Sequence, residues 1–190
     1  SGKDVVVDGT VEFTDPLHLN KTNFSIEEGA ELTVPSMTIE NMSMVNVNGK
    51  LALTEPKTTI DNSTITVSGK NSLLTASPAG ADPIIELSNN GTISVDTGNI
   101  DLTAKKCAIS GNGLVMINND SNTYANFKGS GPVIDLQADQ FMVDSGSVYI
   151  EGATSPSYEQ YVNGNTHPGL THSIVNGVGE PLCLFVVQDG

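Results

Sequence analysis

The chain has 190 residues with 22 acidic and 8 basic side chains, a formal net charge of −14 at pH 7, and no tryptophan. All the basic residues are lysines, and this excess of negative charge repels phosphate backbones, so we expect no nucleic-acid partner. No apolar run reaches the ~20 residues that a membrane-spanning helix needs, and we interpret Ser1-Gly2 as an expression remnant on part of a longer natural polypeptide.

Four glycines mark a repeat in the first half of the chain. Gly9, Gly29, Gly49 and Gly69 stand twenty residues apart, and each lies between two short stretches in which apolar and polar residues alternate. Alternation with period two is typical of strands that bury one face. One coil of such strands leaves its apolar face uncovered, whereas stacked coils bury it. The spacing therefore predicts stacked coils.

The second half repeats with longer units. Residues 83–102 align with 132–150, and 108–127 hold a weaker copy. We predict coils at 3–16, 17–36, 37–56, 57–82, 83–107, 108–131 and 132–155. The predicted structural turns are Gly9, Gly29, Gly49, Gly69, Gly98 and Gly146, where a corner favours a positive φ.

These repeats predict an all-β fold, a single-chain right-handed parallel β-helix (β-solenoid) of about seven coils over 3–155. An antiparallel sandwich is the alternative, because VNVNGKLAL alone resembles an Asn-Gly hairpin. A sandwich gives no reason for the constant spacing of the glycines, so the solenoid is favoured.

Asparagines recur at a second corner. Asn20, Asn41, Asn62 and Asn90 each open an Asn-x-Ser/Thr triplet shortly before a strand, and further triplets begin at Asn23 and Asn119. One interpretation is N-glycosylation of a secreted protein. The other is a stacked asparagine ladder in left-handed turns. The near-coil spacing favours the ladder.

Residues 156–190 break the repeat. This segment is rich in turn residues and ends in the apolar run 182–187, which predicts a C-terminal cap, an oligomerisation element, or both. Cys107 and Cys183 lie far apart in sequence, and two cysteines do not make a disulfide framework, so we expect buried free thiols rather than a bond.

Candidate chemical sites are few. His167 and His172 are weak metal candidates that match no zinc spacing, and Asp120, in the oxygen-rich stretch 117–123, is a weak calcium candidate. Glycoside chemistry needs two carboxylates at a set separation, and no spacing singles out a pair among Asp101, Asp135, Asp139 and Asp144. We therefore predict no catalytic residue, no metal and no cofactor, and leave the binding residues unassigned.

The coil pattern over 3–155 resembles the right-handed β-helices of phage tailspikes and tail fibres, bacterial adhesins and polysaccharide-degrading enzymes. The stretch GPVIDLQADQFMVDSGSVYIEG followed by VNGNTHPGLTH is similar to the ends of phage tail-tip spike proteins. The metal-binding His-x-His of such spikes is missing, since four residues separate His167 from His172, so the resemblance does not extend to an iron-bound apex.

The resemblance implies a non-catalytic phage tail-associated protein with a structural or host-attachment role. It further implies a homotrimer in the virion tail or an extracellular setting, in contact with a cell-surface glycan or other tail proteins. The alternatives are a bacterial surface adhesin module that binds a glycan or host protein, and a polysaccharide lyase or hydrolase.

Overall fold

A computed structural model describes residues 3–120, 122–130, 133–136, 140–145, 147–151 and 182–185. Within these residues every secondary-structure element of two or more residues is a β-strand, which confirms the predicted all-β class. The strands form three sheets, here called A, B and C, in which neighbours run parallel except for the final pair. The described part of the chain contains no helix that is long and apolar enough to cross a membrane.

Each sheet takes every third strand of the chain. Sheet A stacks β1 (Lys3–Val7), β4 (Thr22–Ile26), β7 (Met44–Val47), β10 (Thr64–Ser68), β13 (Thr92–Asp96), β16 (Leu114–Asn118) and β19 (Phe141–Ser145). Sheet B stacks β2 (Thr10–Glu12), β5 (Glu31–Val34), β8 (Lys50–Leu53), β11 (Leu73–Ala76), β14 (Asn99–Thr103), β17 (Ala125–Lys128), β20 (Ser147–Glu151) and β21 (Leu182–Phe185). Sheet C stacks β3 (Leu17–Asn20), β6 (Met37–Glu40), β9 (Thr58–Asp61), β12 (Ile85–Ser88), β15 (Ile109–Gly111) and β18 (Ile134–Asp135). The chain therefore winds as a β-solenoid.

Over the described residues the solenoid has six complete coils, each with one strand of sheet C, then A, then B. They follow a partial coil, coil 1, which contains only β1 and β2. The predicted intervals from 17–36 onward each hold the three strands of one coil, here coils 2 to 7. The prediction of about seven coils counted the first interval, 3–16, which holds only β1 and β2 among the described residues.

The predicted C-terminal segment is described only in part. Its strand β21 runs antiparallel to β20, with Leu184 beside Val148, so it extends sheet B past the last coil. The rest of 156–190 lies outside the described residues. Its role as a cap or a subunit contact stays a prediction.

In-register stacking builds the core. Because side chains alternate across a strand, every second residue points inward and meets its counterpart in the next coil. One such column in sheet A consists of Val5, Phe24, Val45, Ile65, Ile93, Val115 and Phe141. The buried members join one continuous apolar cluster, and burying each stabilises the fold by roughly 1.5–3 kcal/mol.

Hydroxyl side chains order the corner between sheets C and A. Thr22, Ser43 and Ser63 are buried in consecutive coils, and the backbone N–H of each of the first two donates to the hydroxyl oxygen of the next, both at 3.1 Å. The neighbouring Asn41 and Asn62 have left-handed φ values of 58° and 44°. Asn41 and Asn62 thus supply the predicted left-handed turn, whereas Asn20 lies in β3 and Lys21 has the left-handed φ there. The stacked ladder consists of hydroxyls.

Glycine has two different functions at the corner between sheets A and B. Gly29 and Gly69 have positive φ values of 81° and 91°, the conformation predicted for all these turns. Gly9 and Gly49 are not among the residues with positive φ. A Cβ atom on Gly49 would instead collide with the carbonyl oxygens of Glu27 and Ala30 in coil 2, so its small size is required there for close backbone approach.

Candidate functional site

The corner between sheets A and B alternates in length along the solenoid. Coils 2 and 4 turn through four residues, 27–30 and 69–72, whereas coils 3 and 5 turn through two, 48–49 and 97–98. In both long corners the fourth backbone N–H donates to the first carbonyl oxygen, from Ala30 to Glu27 at 3.0 Å and from Ser72 to Gly69 at 2.9 Å. The four-residue corners of coils 2 and 4 project outward, and the two-residue corner of coil 3 between them stays close to the core.

This alternation creates an open cleft above the short corner of coil 3, here called the corner cleft. Its volume is about 550 Å³. Its lining consists of Glu27, Glu28, Asn48, Ser68, Gly69, Lys70 and Asn71. Coil 2 therefore forms one wall, coil 4 forms the other, and Asn48 of coil 3 lies between them.

Backbone hydrogen bonds hold the short corner of coil 3 close to coil 2. The N–H groups of Asn48 and Gly49 both donate to the carbonyl oxygen of Ile26, at 2.9 and 3.0 Å. The Ser68 hydroxyl donates to Asn48 Oδ1 at 3.0 Å, which fixes the amide group in the cleft. Because Oδ1 is engaged, the hydrogen-bonding groups that the Asn48 side chain can offer a ligand are the N–H donors of its amide nitrogen.

Two charged walls face each other across the cleft. Asn71 Nδ2 donates to Glu28 Oε1 at 3.3 Å, which joins coil 4 to coil 2 without an intervening residue of coil 3. Lys70 forms no ion pair with another residue in the described ranges. The cleft therefore offers carboxylate acceptors, amide donors and one ammonium group, an arrangement suited to a ligand with many hydroxyl groups, which both donate and accept.

The outer face of sheet C carries a second polar cluster. His18 Nε2 and Asn20 Nδ2 lie 3.0 and 2.7 Å from Glu40 Oε1, and Asn89 Nδ2 donates to both carboxylate oxygens of Asp61, at 2.9 and 3.1 Å. Each of these carboxylates accepts hydrogen bonds from side chains of a neighbouring coil, so the cluster links coils on the outside of the solenoid.

Asp120 organises its own loop. Its carboxylate accepts hydrogen bonds from the Asn122 backbone at 2.8 Å and the Thr123 hydroxyl at 3.2 Å. The hydrogen bond from Asn122 is the main reason that the pKa of Asp120 is lowered. In the described residues no group of three or more histidine, cysteine or acidic side chains is placed to hold a metal ion. Asp120 thus has a local structural role, as an Asx turn.

The remaining predicted residues are dispersed. Asp101 and Asp135 lie on the outer faces of sheets B and C, and Asp144 is exposed on sheet A. His167, His172, Asp139 and Gly146 lie outside the described residues. Gly98 lies in the short corner of coil 5, where a Cβ atom would meet the Ser72 hydroxyl and the Val67 carbonyl, both at 2.6 Å. The described carboxylates are thus spread over three faces.

Cys107 is a partly buried free thiol at the corner between sheets B and C. Its sulfur lies 3.2 Å from the carbonyl oxygen of Ile109. Burial, reinforced by the negative charge of Asp135, raises the pKa of the thiol to about 11. Cys107 is therefore protonated at neutral pH and is a poor nucleophile.

The triplets that suggested glycosylation have different environments. Asn20, Asn23, Asn41, Asn62 and Asn90 are exposed, whereas Asn119 is buried. Five of the six asparagines are thus accessible in the folded chain, and their glycosylation stays a prediction.

Sequence reasoning left the binding residues unassigned and did not find the corner cleft. The signal was the number of residues between consecutive apolar stretches, which is larger at 27–30 and 69–72 than at 48–49. The longer turn at Glu28 is visible in the sequence, but its pairing with the turn at 69–72 becomes apparent only once the coils are stacked. Comparison with known proteins found no matching family model, no similar curated protein and no similar solved structure.

Proposed function

We propose that this chain is a phage tail-associated host-attachment protein that acts by binding and not by catalysis. In this proposal the solenoid is a stiff rod of the virion tail, and the corner cleft takes a hydroxyl-rich saccharide of the host surface. The observation that carries the proposal is the polar corner cleft, which the turns of coils 2 and 4 form at the edge of a solenoid with one continuous apolar core.

The rigidity of the site supports an attachment role. The cleft walls come from turns closed by backbone hydrogen bonds, and these turns extend strands that are paired on both sides. A ligand therefore meets side chains whose backbone is already ordered, which lowers the entropic cost of binding.

The chemistry of the lining supports a saccharide. Asn48 and Asn71 supply amide groups, Glu27 and Glu28 supply acceptors, and Lys70 supplies a mobile donor. Sugar hydroxyls satisfy both kinds of group, and the described residues of the lining include no aromatic or large apolar side chain to favour a nonpolar ligand. The one lysine against two glutamates also disfavours a polyanion.

Binding to a panel of immobilised bacterial surface glycans tests the proposal, followed by titration calorimetry with the glycan that binds. Asn48→Ala and Asn71→Ala should each weaken binding by about 3- to 10-fold, the usual effect of one lost hydrogen bond. Asn46→Ala is the matched control, because Asn46 lies in the same strand region of coil 3 but does not line the cleft. Equal losses for Asn46 and Asn48 would count against the cleft.

Oligomeric state and product analysis separate the alternatives. We expect sedimentation of the full chain to give a homotrimer, as in a tail protein. A monomer that binds glycan would support a bacterial adhesin module instead. Release of oligosaccharides from the bound glycan would support a lyase or hydrolase and overturn the non-catalytic proposal.

A further inference from the structure

The outer face of sheet A differs from the rest of the surface of this acidic chain. From coil 2 onward, two columns of outward side chains on this sheet contain no charged residue in the described part of the chain, and we call this surface the sheet A face. The columns consist of Asn23, Met44, Thr64, Thr92 and Leu114, and of Ser25, Asn46, Thr66, Ser94, Met116 and Met142. In coil 1 the first column continues to Asp4, whose carboxylate accepts a hydrogen bond from Asn23 Nδ2 at 2.9 Å.

The sheet A face also leaves large apolar side chains in water. Met44 and Met142 are 48 % and 40 % exposed, and Leu114 and Met116 are partly exposed. Met116 lies directly beside Met142 in the strand register. Three of the five methionines of the chain are therefore on this one face. Methionine side chains adapt to the shape of a partner, and apolar groups that are grouped on a surface are typical of protein contacts.

The outer faces of the other two sheets are charged. Sheet C carries one carboxylate in each of coils 3, 4, 5 and 7, from Glu40, Asp61, Glu86 and Asp135. Sheet B carries both signs of charge, from Glu31, Lys50, Asp101 and Lys128. The sheet A face is thus the broad side of the solenoid on which close approach desolvates the fewest charges.

Rotational symmetry makes this difference decisive for contacts between copies. When copies are related by an axis parallel to the solenoid, each coil lies level with the same coil of its neighbours. A carboxylate on the contact face then meets its own counterpart, in a chain whose net charge is already −14. On the sheet A face, the apolar side chains of coils 3, 6 and 7 meet apolar side chains, and the hydroxyls of coils 4 and 5 meet hydroxyls.

We infer that copies of this chain associate through the sheet A face, with their solenoids parallel. The inference rests on the homotrimer of the proposed function and names the surface that holds the three copies together. Met44, Met116 and Met142 exclude water from the contact, and the hydroxyls of Thr66 and Ser94 hydrogen-bond across its middle. The corner cleft lies beyond the edge of this face, at the corner between sheets A and B, so a glycan reaches it in the assembly.

A matched pair of substitutions in coil 4 tests the surface. Thr66 points outward on sheet A and Thr75 points outward on sheet B, and both are partly exposed. Thr66→Glu places one carboxylate per copy in the contact, so the concentration at which half of the chains are assembled should rise about tenfold or more. Thr75→Glu adds the same charge to the same coil and should change this concentration less than about twofold.

Sedimentation velocity of the full chain and both variants, from about 1 µM to about 1 mM, measures the change. An equal change for the two variants would mean that net charge and not the sheet A face controls assembly, and would overturn the inference. So would an unchanged Thr66→Glu variant, because the contact would then lie elsewhere.

Oxidation of the parent chain covers the case in which Thr66→Glu does not fold. Hydrogen peroxide in large excess converts exposed methionine thioethers to sulfoxides. Met44 and Met142 should therefore react about threefold or more slowly at a protein concentration that favours assembly than in the dilute chain, as measured by peptide mass spectrometry. Equal rates at the two concentrations would contradict burial of this face.

Glycan binding separates failure of this inference from failure of the proposed function. A parent chain that stays monomeric up to about 1 mM would overturn the inference and leave the sheet A face to a different partner. If that monomer still binds glycan through Asn48 and Asn71, attachment by the corner cleft stands without the assembly. If the parent chain assembles, Thr66→Glu does not, and neither binds glycan, the sheet A face is supported and the attachment proposal fails.

Discussion

The interior coils and coil 1 are built from the same alternating pattern but differ in how well they bury it. Leu51 in coil 3 lies between Leu32 and Leu74 and is fully buried, whereas Val5 in coil 1 has a neighbour on one side only within the described part of the chain and is 39 % exposed. The comparison teaches that in a solenoid the energy of a side chain depends on the coils on both sides. Substitutions of inward side chains in the two regions should therefore have unequal effects.

The largest difference should come from truncating an inward side chain in each region. Leu51→Ala should lower the free energy of unfolding by about 2–5 kcal/mol, because it leaves a cavity in a packed column. Val5→Ala should cost less than about 1 kcal/mol, because that side chain is already partly in water. Chemical denaturation of both variants measures the difference, and equal costs would break the comparison.

Glycine substitutions should give the next largest difference. Gly49→Ala places a methyl group against the Glu27 and Ala30 carbonyls and should destabilise the chain by about 3 kcal/mol. Gly9→Ala, at the equivalent corner of coil 1, meets no atom within 4 Å and should change stability by less than about 0.5 kcal/mol. Thermal unfolding of the two variants tests this, and a stable Gly49→Ala variant would contradict the close approach.

The buried hydroxyl ladder should give a smaller effect. Ser43→Ala leaves the buried Thr22 N–H without its acceptor, which should cost about 1–2 kcal/mol. Asn23→Ala, near the open end, removes an exposed hydrogen bond to Asp4 and should change the free energy of unfolding by less than about 0.5 kcal/mol. Urea titration distinguishes the two, and matching midpoints would show that the ladder contributes no stability.

The side chain of Cys107 is partly buried, so its burial lies between that of Leu51 and that of Val5. Its effect on the free energy of unfolding should appear only at high pH. Its pKa of about 11 in the folded chain, against an ordinary 9.0, means that the unfolded state loses the proton first. Its contribution to stability is complete below about pH 9 and is lost as the pH rises towards 11.

Alkylation measures this shift in a Cys183→Ser background, where Cys107 is the remaining thiol. Between pH 9 and 11 the folded chain should react more slowly than the denatured chain, because less of its thiol is ionised. Identical pH profiles for the two states would show that the folded thiol is not shielded.

The strands were predictable because alternation is a local property. The apolar residues around Gly49 identified β7 and β8, and the repeat at twenty residues identified their neighbours. The glycine at each corner was also visible in the sequence, but the structural requirement that glycine meets there was not. Whether Gly29 needs a positive φ or Gly49 needs to be small depends on the adjacent coil, which the local sequence does not reveal.

Other turns were missed because residues without glycine's freedom adopt left-handed conformations. Lys21, Lys57 and Thr97 have φ values of 51°, 73° and 54°. Their strain is offset by the strands that they connect, which are held in register by the whole stack. The corner cleft was missed for a related reason, since it is formed by coils that are two repeats apart.

The alternating corners also determine where this protein tolerates sequence change. Loops of two or four residues join sheets A and B in coils 2 to 5, yet the strands on either side keep the same register. Insertions at this edge therefore leave the core unaltered. Protein engineers could graft foreign peptide loops at the exposed positions 27–29 or 69–71, at a repeat set by the coil spacing, and display them as a regular row along one edge of a rod.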